Sequence, residues 1–388
     1  MAKLGEICLI NPKSCTLRDD TEVSFIPMTK VGEHGKFDAS EIKNYSEVKK
    51  GFTNFQNGDI LFAKITPCME NGKGAIAHNM KNGIGFGSTE FHVLRPDTDK
   101  ITSEWLYYLT TWKTFRKEGE RNMTGSAGQK RVPKTFLENY VVNLPDIDTQ
   151  KSENKILRKV DDLIFLRKQQ LAKLDELVKV RFVEMFGDFE FNPKEFPVYH
   201  LCELCDVGSS KRIYQEEQSI SGIPFLKVAD LNELIDTGKY SCSTFIPLER
   251  YEQLLHKELT PTENDILITS RGTLGKCYIV QSDDEFYFQD GMISWLSNFS
   301  PKVSSIYISY LFAQPYIQKQ IESLHAGSTV AYLSIAMLKK INVILPPKKL
   351  QDDFAAFVER VDQQKQTVQQ SLEKLELMKK ALMQEYFG

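Results

Sequence analysis

Turns rich in polar and basic side chains carry the residues of this chain that are best suited to binding chemistry. Residues 125–131 read GSAGQKR and present Ser126, Gln129, Lys130 and Arg131 within one loop. Gln and Arg side chains can form paired hydrogen bonds with adenine and guanine edges, whereas Ser and Lys suit phosphates. The loop therefore predicts contact with nucleic acid, although ordinary solvated loops have a similar composition.

Several other turns have the same character. Arg271, Thr273 and Lys276 form a comparable group in the second half of the chain, and a Ser-Ser-Lys-Arg turn precedes them. Taken together with the repeat described below, these turns favour contact with DNA over simple solvation. The predicted DNA contacts are Lys30, Lys64, Asn71, Lys73, Ser126, Gln129, Lys130, Arg131, Lys211, Arg212, Lys227, Arg271, Thr273, Lys276, Ser328, Thr329 and Tyr332.

Catalytic motifs are missing from the sequence. Residues 270–277 read SRGTLGKC and lack the first Gly and the final Ser or Thr of a phosphate-binding loop. Both Asn-Pro pairs continue with Lys, unlike the motif of an amino-methyltransferase, and neither His-Glu-x-x-His nor Gly-x-Ser-x-Gly occurs. We expect no catalytic residue.

One short segment suggests a metal site at first sight. Residues 200–205 read HLCELC, but a structural zinc needs four ligands and no second Cys-x-x-Cys or His pair is present. Cys205 also has the apolar surroundings of Cys8, its counterpart in the repeat. We therefore expect no metal ligands here, and interpret Cys202 and Cys205 as buried free thiols.

Bulk properties restrict the class of protein. The 388 residues are 41% hydrophobic with a formal net charge of −3, which predicts two or more domains and no global attraction to nucleic acid. No run of about 18 apolar residues is present, so no membrane span is expected. Seven scattered cysteines, and an N-terminus without the apolar core of a signal peptide, indicate the cytoplasm.

An internal repeat determines the predicted architecture. Leu4, Glu6 and Cys8 recur 197 positions later, from 4 to 201, as Leu201, Glu203 and Cys205. From the two Leu-Pro pairs at 144–145 and 345–346 onward the offset is constant at 201, up to the Phe-Gly pairs at 186–187 and 387–388. The order is therefore globular unit, helix, globular unit, helix, and insertions are tolerated only in the globular units.

The two helical segments carry apolar residues every seven positions. Such heptads, in runs without Pro or Gly, predict coiled-coil packing, and the repeat predicts that the two helices run antiparallel. Two amphipathic helices lying separately on their own domains are the alternative. The predicted contact rows are Leu157, Ile164, Leu171, Val178 and Met185 in the first helix, and Phe354, Val361, Val368, Leu375 and Leu382 in the second.

The predicted fold class is α+β, with two mixed α/β domains separated by two long antiparallel coiled-coil helices and related by a pseudo-two-fold repeat. The domains are expected at 1–148 and 188–348, and the helices at 149–187 and 349–388. Within the domains, short strands alternate with turns, and amphipathic helices are expected at 103–118 and 305–323.

This layout resembles the specificity (S) subunits of type I restriction-modification enzymes. The resemblance covers nearly the whole chain and rests on the NGDIL, NDILITSRGTLGK, GSAGQKRVPKTFL and GSTVAYL segments and on the Leu-Pro stops that lead to Gln150 and Gln351. In that family an acidic residue commonly precedes the Gln, where Thr149 and Leu350 stand here.

The resemblance implies a non-catalytic DNA-recognition subunit. Each of two target-recognition domains would read one half of a bipartite target in double-stranded DNA. The helices would set the spacing and dock two methyltransferase (M) subunits, and restriction or motor (R) subunits would join. S-adenosylmethionine, ATP and Mg would belong to those partners, and this chain would bind no cofactor.

Three alternatives stay open from the sequence. The chain could serve a methylation-only or related restriction system. It could be a restriction or modification enzyme with a degenerate active site. It could also be a coiled-coil scaffold without a role in DNA binding.

Overall fold

Short strands and short helices alternate in each half of the chain, as the predicted α+β class requires. The computed structural model describes residues 1–126, 128–324 and 332–388. The chain divides into two compact units: unit 1 comprises Met1–Gln169 and Gln369–Gly388, and unit 2 comprises Gln170–Val368.

Unit 1 contains ten short strands and five short helices among its described residues. Its strands are β1 Ala2–Lys3, β2 Cys8–Ile10, β3 Glu22–Ile26, β4 Ile42–Asn44, β5 Thr53–Gln56, β6 Ile60–Ala63, β7 Gly74–Ile76, β8 Ile84–Gly87, β9 Phe91–Pro96 and β10 Val141–Val142. Its short helices are α1 Leu4–Ile7, α2 Tyr45–Val48, α3 Ser103–Thr111, α4 Lys113–Arg121 and α5 Lys134–Asn139.

Two four-stranded sheets form the body of unit 1. One is antiparallel with the order β2-β9-β6-β7, and the other has the order β4-β3-β8-β5 with β3 and β8 parallel. The apolar run Ile-Leu-Phe-Ala of β6 is fully buried, because both faces of this strand are covered. A two-stranded pair, β1 with β10, joins the first residues of the chain to the segment before the first long helix.

The first long helix is α6, Ile147–Phe186, and unit 2 continues beyond it. The strands of unit 2 are β11 Val198–His200, β12 Asp206–Ser209, β13 Ile223–Leu226, β14 Phe245–Ile246, β15 Ile266–Thr269, β16 Cys277–Ile279, β17 Tyr287–Phe288, β18 Ile293–Ser297 and β19 Asn342–Ile344. Its short helices are α7 Val228–Thr237, α8 Leu248–Leu255, α9 Ser305–Phe312, α10 Pro315–Leu324 and α11 Ile335–Lys339, and the second long helix is α12, Lys348–Phe387.

The sheets of unit 2 repeat those of unit 1. The order β12-β18-β15-β16 corresponds to β2-β9-β6-β7, and β14-β13-β17 corresponds to three strands of the second sheet, again with one parallel pair. The pair β11 with β19 corresponds to β1 with β10. The repeat that the sequence shows is therefore a repeat of sheet topology.

Each of the two predicted amphipathic helices is broken into two. Trp112 is extended, with φ −61° and ψ 131°, and separates α3 from α4. The hydroxyls of Thr110 and Thr111 bond to the carbonyls of Tyr107 and Tyr108 at this point, which competes with the helical pattern. In unit 2 the break precedes Pro315, which starts α10 because proline suits the first turn of a helix.

Both long helices contain 40 residues and begin one or two residues before the predicted positions. Four residues of the predicted contact rows lie in unit 1. Leu157 is buried in the core, and Ile164, Leu375 and Leu382 are half-buried. In unit 2 Leu171 is half-buried, and the buried members of the rows are Val178, Met185, Phe354, Val361 and Val368. None of the helices in the described segments is long and apolar enough to cross a membrane.

Within each unit the paired helical segments run antiparallel. In unit 1 the Lys379 ammonium lies 2.6 Å from the carboxylate of Asp161, and in unit 2 Lys365 lies 2.7 Å from Asp175. The ring centroids of Phe182 and Phe354 are 5.3 Å apart in unit 2. Residue numbers thus rise along α6 as they fall along α12, and the predicted antiparallel packing is confirmed.

Buried glutamines attach the first turn of each long helix to a globular unit. In unit 1 the Gln150 carbonyl oxygen accepts the Thr102 N–H at 2.9 Å, and its amide donates to the carbonyls of Lys100 and Pro145, both at 2.9 Å. The side chain is fully buried. The helix start is capped by Asp146, whose carboxylate accepts the Thr149 N–H at 2.8 Å.

Unit 2 contains the same three bonds. The Gln351 carbonyl oxygen accepts the Ser304 N–H at 2.9 Å, and its amide donates to Lys302 at 3.0 Å and to Pro346 at 2.7 Å. The repeated Leu-Pro ends therefore have a common role, because the proline carbonyl is one acceptor of each glutamine.

We predict that Gln150→Ala lowers the free energy of unfolding by about 3 kcal/mol, since it leaves buried backbone groups without partners. Denaturant unfolding of the full chain measures the effect, and Gln351→Ala should behave alike. Gln169→Ala changes an exposed glutamine of the same helix and should cost less than about 0.5 kcal/mol. Equal stabilities of Gln150→Ala and Gln169→Ala would contradict the proposed role of the buried amide.

Candidate nucleic-acid interface

In unit 1 the loop of residues 124–131 is joined to the end of strand β6. Arg131 forms antiparallel bridges with Ile65 on one side and with Thr124 on the other. Backbone bonds on both sides hold this segment: Arg131 N–H to Thr124 O at 2.9 Å, Thr66 N–H to Lys130 O at 3.0 Å, and Val132 N–H to Lys64 O at 2.9 Å. The segment around Arg131 therefore has a fixed backbone position. We call the Ile65–Arg131 pair the first bridge.

Arg131 is also held through its side chain. Its Nε donates to Glu90 Oε2 at 2.9 Å and its Nη2 donates to Glu90 Oε1 at 2.8 Å, while Nη1 donates to the Gln129 carbonyl at 3.0 Å. These hydrogen bonds from Arg131 lower the pKa of Glu90, so the carboxylate stays ionised at neutral pH. Charge and geometry together fix the direction of the guanidinium.

The other predicted contacts of unit 1 differ in exposure. Ser126, Gln129, Lys130 and Asn71 are exposed, and Lys64 is half-buried. Two more lysines are half-buried and bonded: the Lys73 ammonium donates to the Met28 carbonyl at 3.5 Å, and Lys30 pairs with Asp38 at 2.7 Å. The bond from Lys30 lowers the pKa of Asp38.

Unit 2 contains an equivalent bridge with other side chains. Arg271 and Tyr332 form an antiparallel bridge, and the Leu333 N–H donates to the Ser270 carbonyl at 3.0 Å. The Arg271 guanidinium carbon lies 5.5 Å from the centre of the Tyr332 ring, within the range of a cation–π contact. We call the Arg271–Tyr332 pair the second bridge.

The two bridges occupy corresponding positions in the repeat. The bond from Leu333 to Ser270 in unit 2 corresponds to the bond from Val132 to Lys64 in unit 1, so Tyr332 corresponds to Arg131. In the same way Ile65 corresponds to Arg271. The backbone arrangement is kept, but the arginine has changed strand and its partner has changed from a carboxylate to an aromatic ring.

The remaining described contacts predicted for unit 2 lie in the segments that follow β12, β13 and β15. Lys211, Arg212, Lys227 and Thr273 are exposed. The Lys211 N–H donates to the Tyr287 hydroxyl at 2.8 Å and the Lys227 N–H donates to the Asp230 carboxylate at 2.8 Å. Ser328 and Thr329 lie outside the described residues.

The carbonyls of Lys73 and Lys276 occupy equivalent places in the two units. The Lys73 carbonyl accepts the Ala63 N–H at 3.3 Å at the end of β6, and the Lys276 carbonyl accepts the Thr269 N–H at 3.0 Å at the end of β15. Both lysines are half-buried. These two lysines therefore hold matching positions in the sheets of the two units.

The sequence did not predict the acidic partners of the basic residues. Four predicted cations form ion pairs, and each acid lies on a different turn or helix. The pairs are Lys30–Asp38 at 2.7 Å, Arg131–Glu90 at 2.8 Å, Arg212–Asp290 at 2.9 Å and Lys276–Asp236 at 2.6 Å. Glu90 and Asp290 have similar places in the sequence. Each lies shortly before the strand, β9 or β18, that pairs with β6 or β15.

The cysteine segment differs from expectation at one residue. Cys205 is buried and burial raises the pKa of its thiol to about 12, as it does for Cys8. Cys202, expected to be buried, is exposed, because residues 201–203 form a short 3-10 turn that directs Leu201 into the core instead. Among the described residues, no group of three or more His, Cys, Asp or Glu side chains is arranged to hold a metal ion.

Comparison with known proteins identifies the family of the chain and solved structures with the same fold. The family model of the type I restriction modification DNA specificity domain matches residues 1–176 and again residues 193–377. The type I restriction enzyme EcoAI specificity subunit of Escherichia coli is 47% identical over 178 residues, which are 44% of this chain and 30% of that subunit. The chain thus spans less than a third of the length of this curated relative.

Two solved structures share the fold at low sequence identity. The type I restriction-modification system S subunit from M. genitalium matches with a TM-score of 0.59 and 14% identity, over 100% of this chain and 95% of that chain. A chain from the structural study of complex assembly and conformational transition of the type I R-M system also gives 0.59, with 17% identity, over 99% and 96% of the two chains. The two matches of the family model together cover most of the chain, and the chain therefore belongs to the type I restriction-modification DNA specificity family.

Proposed function

We propose that this chain is the sequence-specific DNA-binding subunit of a type I restriction-modification complex. Each globular unit acts as a target-recognition domain and reads one half of a bipartite site in double-stranded DNA. The chain itself performs no chemistry and works in the cytoplasm. The long helices set the spacing of the half-sites and dock the partner subunits.

The observation that carries this proposal is the pair of bridges. Two domains with corresponding sheets hold corresponding segments by an equivalent backbone bond, yet present Ile65 and Arg131 in one domain and Arg271 and Tyr332 in the other. Base edges are discriminated by side-chain donors and acceptors at fixed positions. A constant backbone with different side chains is what reading two unlike half-sites requires.

The electrostatics support recognition by a complex rather than by the chain alone. Several of the predicted cations are neutralised by carboxylates, and the formal net charge is −3. Non-specific affinity for DNA depends on unpaired cations at the phosphates. We therefore propose that two methyltransferase subunits supply much of the phosphate contact, and that restriction or motor subunits join the complex for cleavage.

Exposed apolar side chains on α6 support the docking of partners. In unit 1 Ile156, Leu163 and Leu166 are 45%, 37% and 55% exposed, at spacings of seven and three that place them on one face of the helix. In unit 2 Leu177 and Val180 continue the same spacing and are also exposed. We propose that methyltransferase subunits cover these residues and bring S-adenosylmethionine, while ATP and Mg belong to the motor subunits.

Exchange of one recognition domain tests the proposed function. We predict that replacing residues 1–148 by the corresponding segment of a relative with another target changes one half of the methylated motif, because each domain reads its half independently. Mapping of methylated adenines in cells that express the chain with its methyltransferase subunit measures the motif.

The reciprocal exchange of residues 188–348 is the matched control and should change only the other half. A motif that changes in both halves after a single exchange would refute two independent readers. A wild-type complex that methylates no bipartite motif would refute the proposed function itself.

The docking proposal is tested on α6. We predict that Leu163→Glu combined with Leu166→Glu weakens binding of the methyltransferase subunit at least about tenfold, because two carboxylates replace buried leucines in the complex. Titration of the purified subunits measures the affinity.

The control carries the same charges on a neighbouring face of the helix. Gln169 and Ala172 are exposed and are also three residues apart, so Gln169→Glu with Ala172→Glu should leave the affinity close to wild type. Equal loss in both double variants would indicate a general charge effect and contradict docking through the leucine face.

A further inference from the structure

The Glu90–Arg131 pair in unit 1 has the geometry of a preorganised reader. Arg131 lies between two neighbouring backbone segments, and the Lys64 N–H donates to the Glu90 carbonyl at 3.0 Å. The adjoining strand is tied as well, because His92 Nε2 donates to the Val132 carbonyl at 2.8 Å. Both members of the ion pair are therefore attached to one rigid set of strands, although the arginine side chain is 41% exposed.

The hydrogen bonds of Arg131 leave part of the guanidinium free. A guanidinium has five N–H bonds in a planar fork. The bonds to Glu90 use one on Nε and one on Nη2, and the bond to the Gln129 carbonyl uses one on Nη1. Among the bonds to described residues, two N–H bonds remain unused, one on each terminal nitrogen, and paired donors of an arginine match the O6 and N7 acceptors of guanine.

We propose that Glu90 positions Arg131 as a reader of one guanine in the half-site bound by unit 1. This inference rests on the proposed function and adds a base identity and a positioning residue to it. Arg131 touches the base and Glu90 does not. The carboxylate holds the side-on edge of the guanidinium, so that the remaining edge meets the major groove in one orientation.

Charge argues for a base rather than a phosphate as the ligand. The ion pair is neutral as a whole, so it contributes little to attraction by the DNA backbone. Exposed Lys130 and half-buried Lys64 lie in the same bridge region, and neither forms an ion pair with a described residue. These lysines are suited to phosphates, whereas Arg131 is oriented and electrically compensated.

The second bridge does not share this arrangement. Arg271 is exposed, lies over the Tyr332 ring, and forms no ion pair with a carboxylate among the described residues. The inference is therefore specific to the half-site of unit 1, and unit 2 supplies an internal reference in every measurement.

The test uses the full chain assembled with its methyltransferase subunits and DNA duplexes that carry the mapped motif with single base changes. Arg131→Lys keeps the charge but loses the planar fork. We expect it to lower the preference for guanine at one position of the first half-site roughly 5- to 150-fold, with the second half-site unchanged.

Glu90 is tested by two variants. Glu90→Ala should reduce the same guanine preference, although it removes no group that contacts DNA. Glu90→Gln leaves the arginine charge uncompensated, so non-specific binding should strengthen and the slope of log affinity against log salt should steepen by up to about 0.9. If Glu90 had a purely structural role, its replacement would change neither the base preference nor the salt slope in this direction.

A matched ion pair in the same unit is the control. Arg158 Nη2 donates to Glu104 Oε1 at 2.7 Å between α6 and α3, away from the bridge, so Arg158→Lys and Glu104→Ala should leave the base preference unchanged. If Arg131→Lys keeps the guanine preference of the wild type, the inference about Arg131 is overturned. The proposed function still stands in that case, provided that the wild-type complex methylates a bipartite motif. A uniform loss of affinity for all sequences, with a shallower salt slope, also overturns it, since that is the behaviour of a phosphate contact.

Discussion

A buried glutamine at the start of each long helix is the constraint on which the rest of the structure depends. Gln150 and Gln351 each satisfy three backbone groups, and these groups belong to the proline before the helix and to the turn before α3 or α9. The opposite ends of the helices are anchored by aromatic rings. Phe387 packs on Trp105 in unit 1 with centroids 4.8 Å apart, and Phe186 packs on Tyr307 in unit 2 at 5.0 Å. Each globular unit thus receives the beginning of one helix and the end of the other, which explains why the sequence offset is constant along the helices.

Polar residues within the heptads make the helix pairing directional. Lys379 in unit 1 and Lys365 in unit 2 occupy core-facing rows, where they are only 28% and 34% exposed, and each reaches an aspartate of α6. A lysine in such a row costs stability, but it favours the one alignment that places a carboxylate opposite. Burial raises the pKa of the neighbouring Asp362, because it disfavours the charged carboxylate. Apolar rows supply the driving force, and these lysines select the antiparallel register.

The sequence predicted those features that depend on periodicity or on the repeat. Heptads fixed the two long helices to within two residues, because an uninterrupted period of seven has few alternative structures. The breaks at Trp112 and before Pro315 were missed, since local bonds from Thr110 and Thr111 decide the first and a tolerated proline the second. The ion pairs of the interface could not be predicted. Glu90 and Arg131 are 41 residues apart, and only the order of the strands brings them together.

The two bridges show how one fold can carry two different sets of surface side chains. The residues at 65 and 131, and at 271 and 332, are joined through their backbones, so replacing their side chains breaks none of the bridge bonds. The core below is untouched by such a change, because strands β6 and β15 bury their own apolar residues. An arginine held by a carboxylate has one orientation, whereas an arginine that lies on a tyrosine ring keeps its whole planar fork for other partners. The surface chemistry of the bridges can therefore diverge between the halves, while the glutamine anchors and the helix register remain under strict constraint.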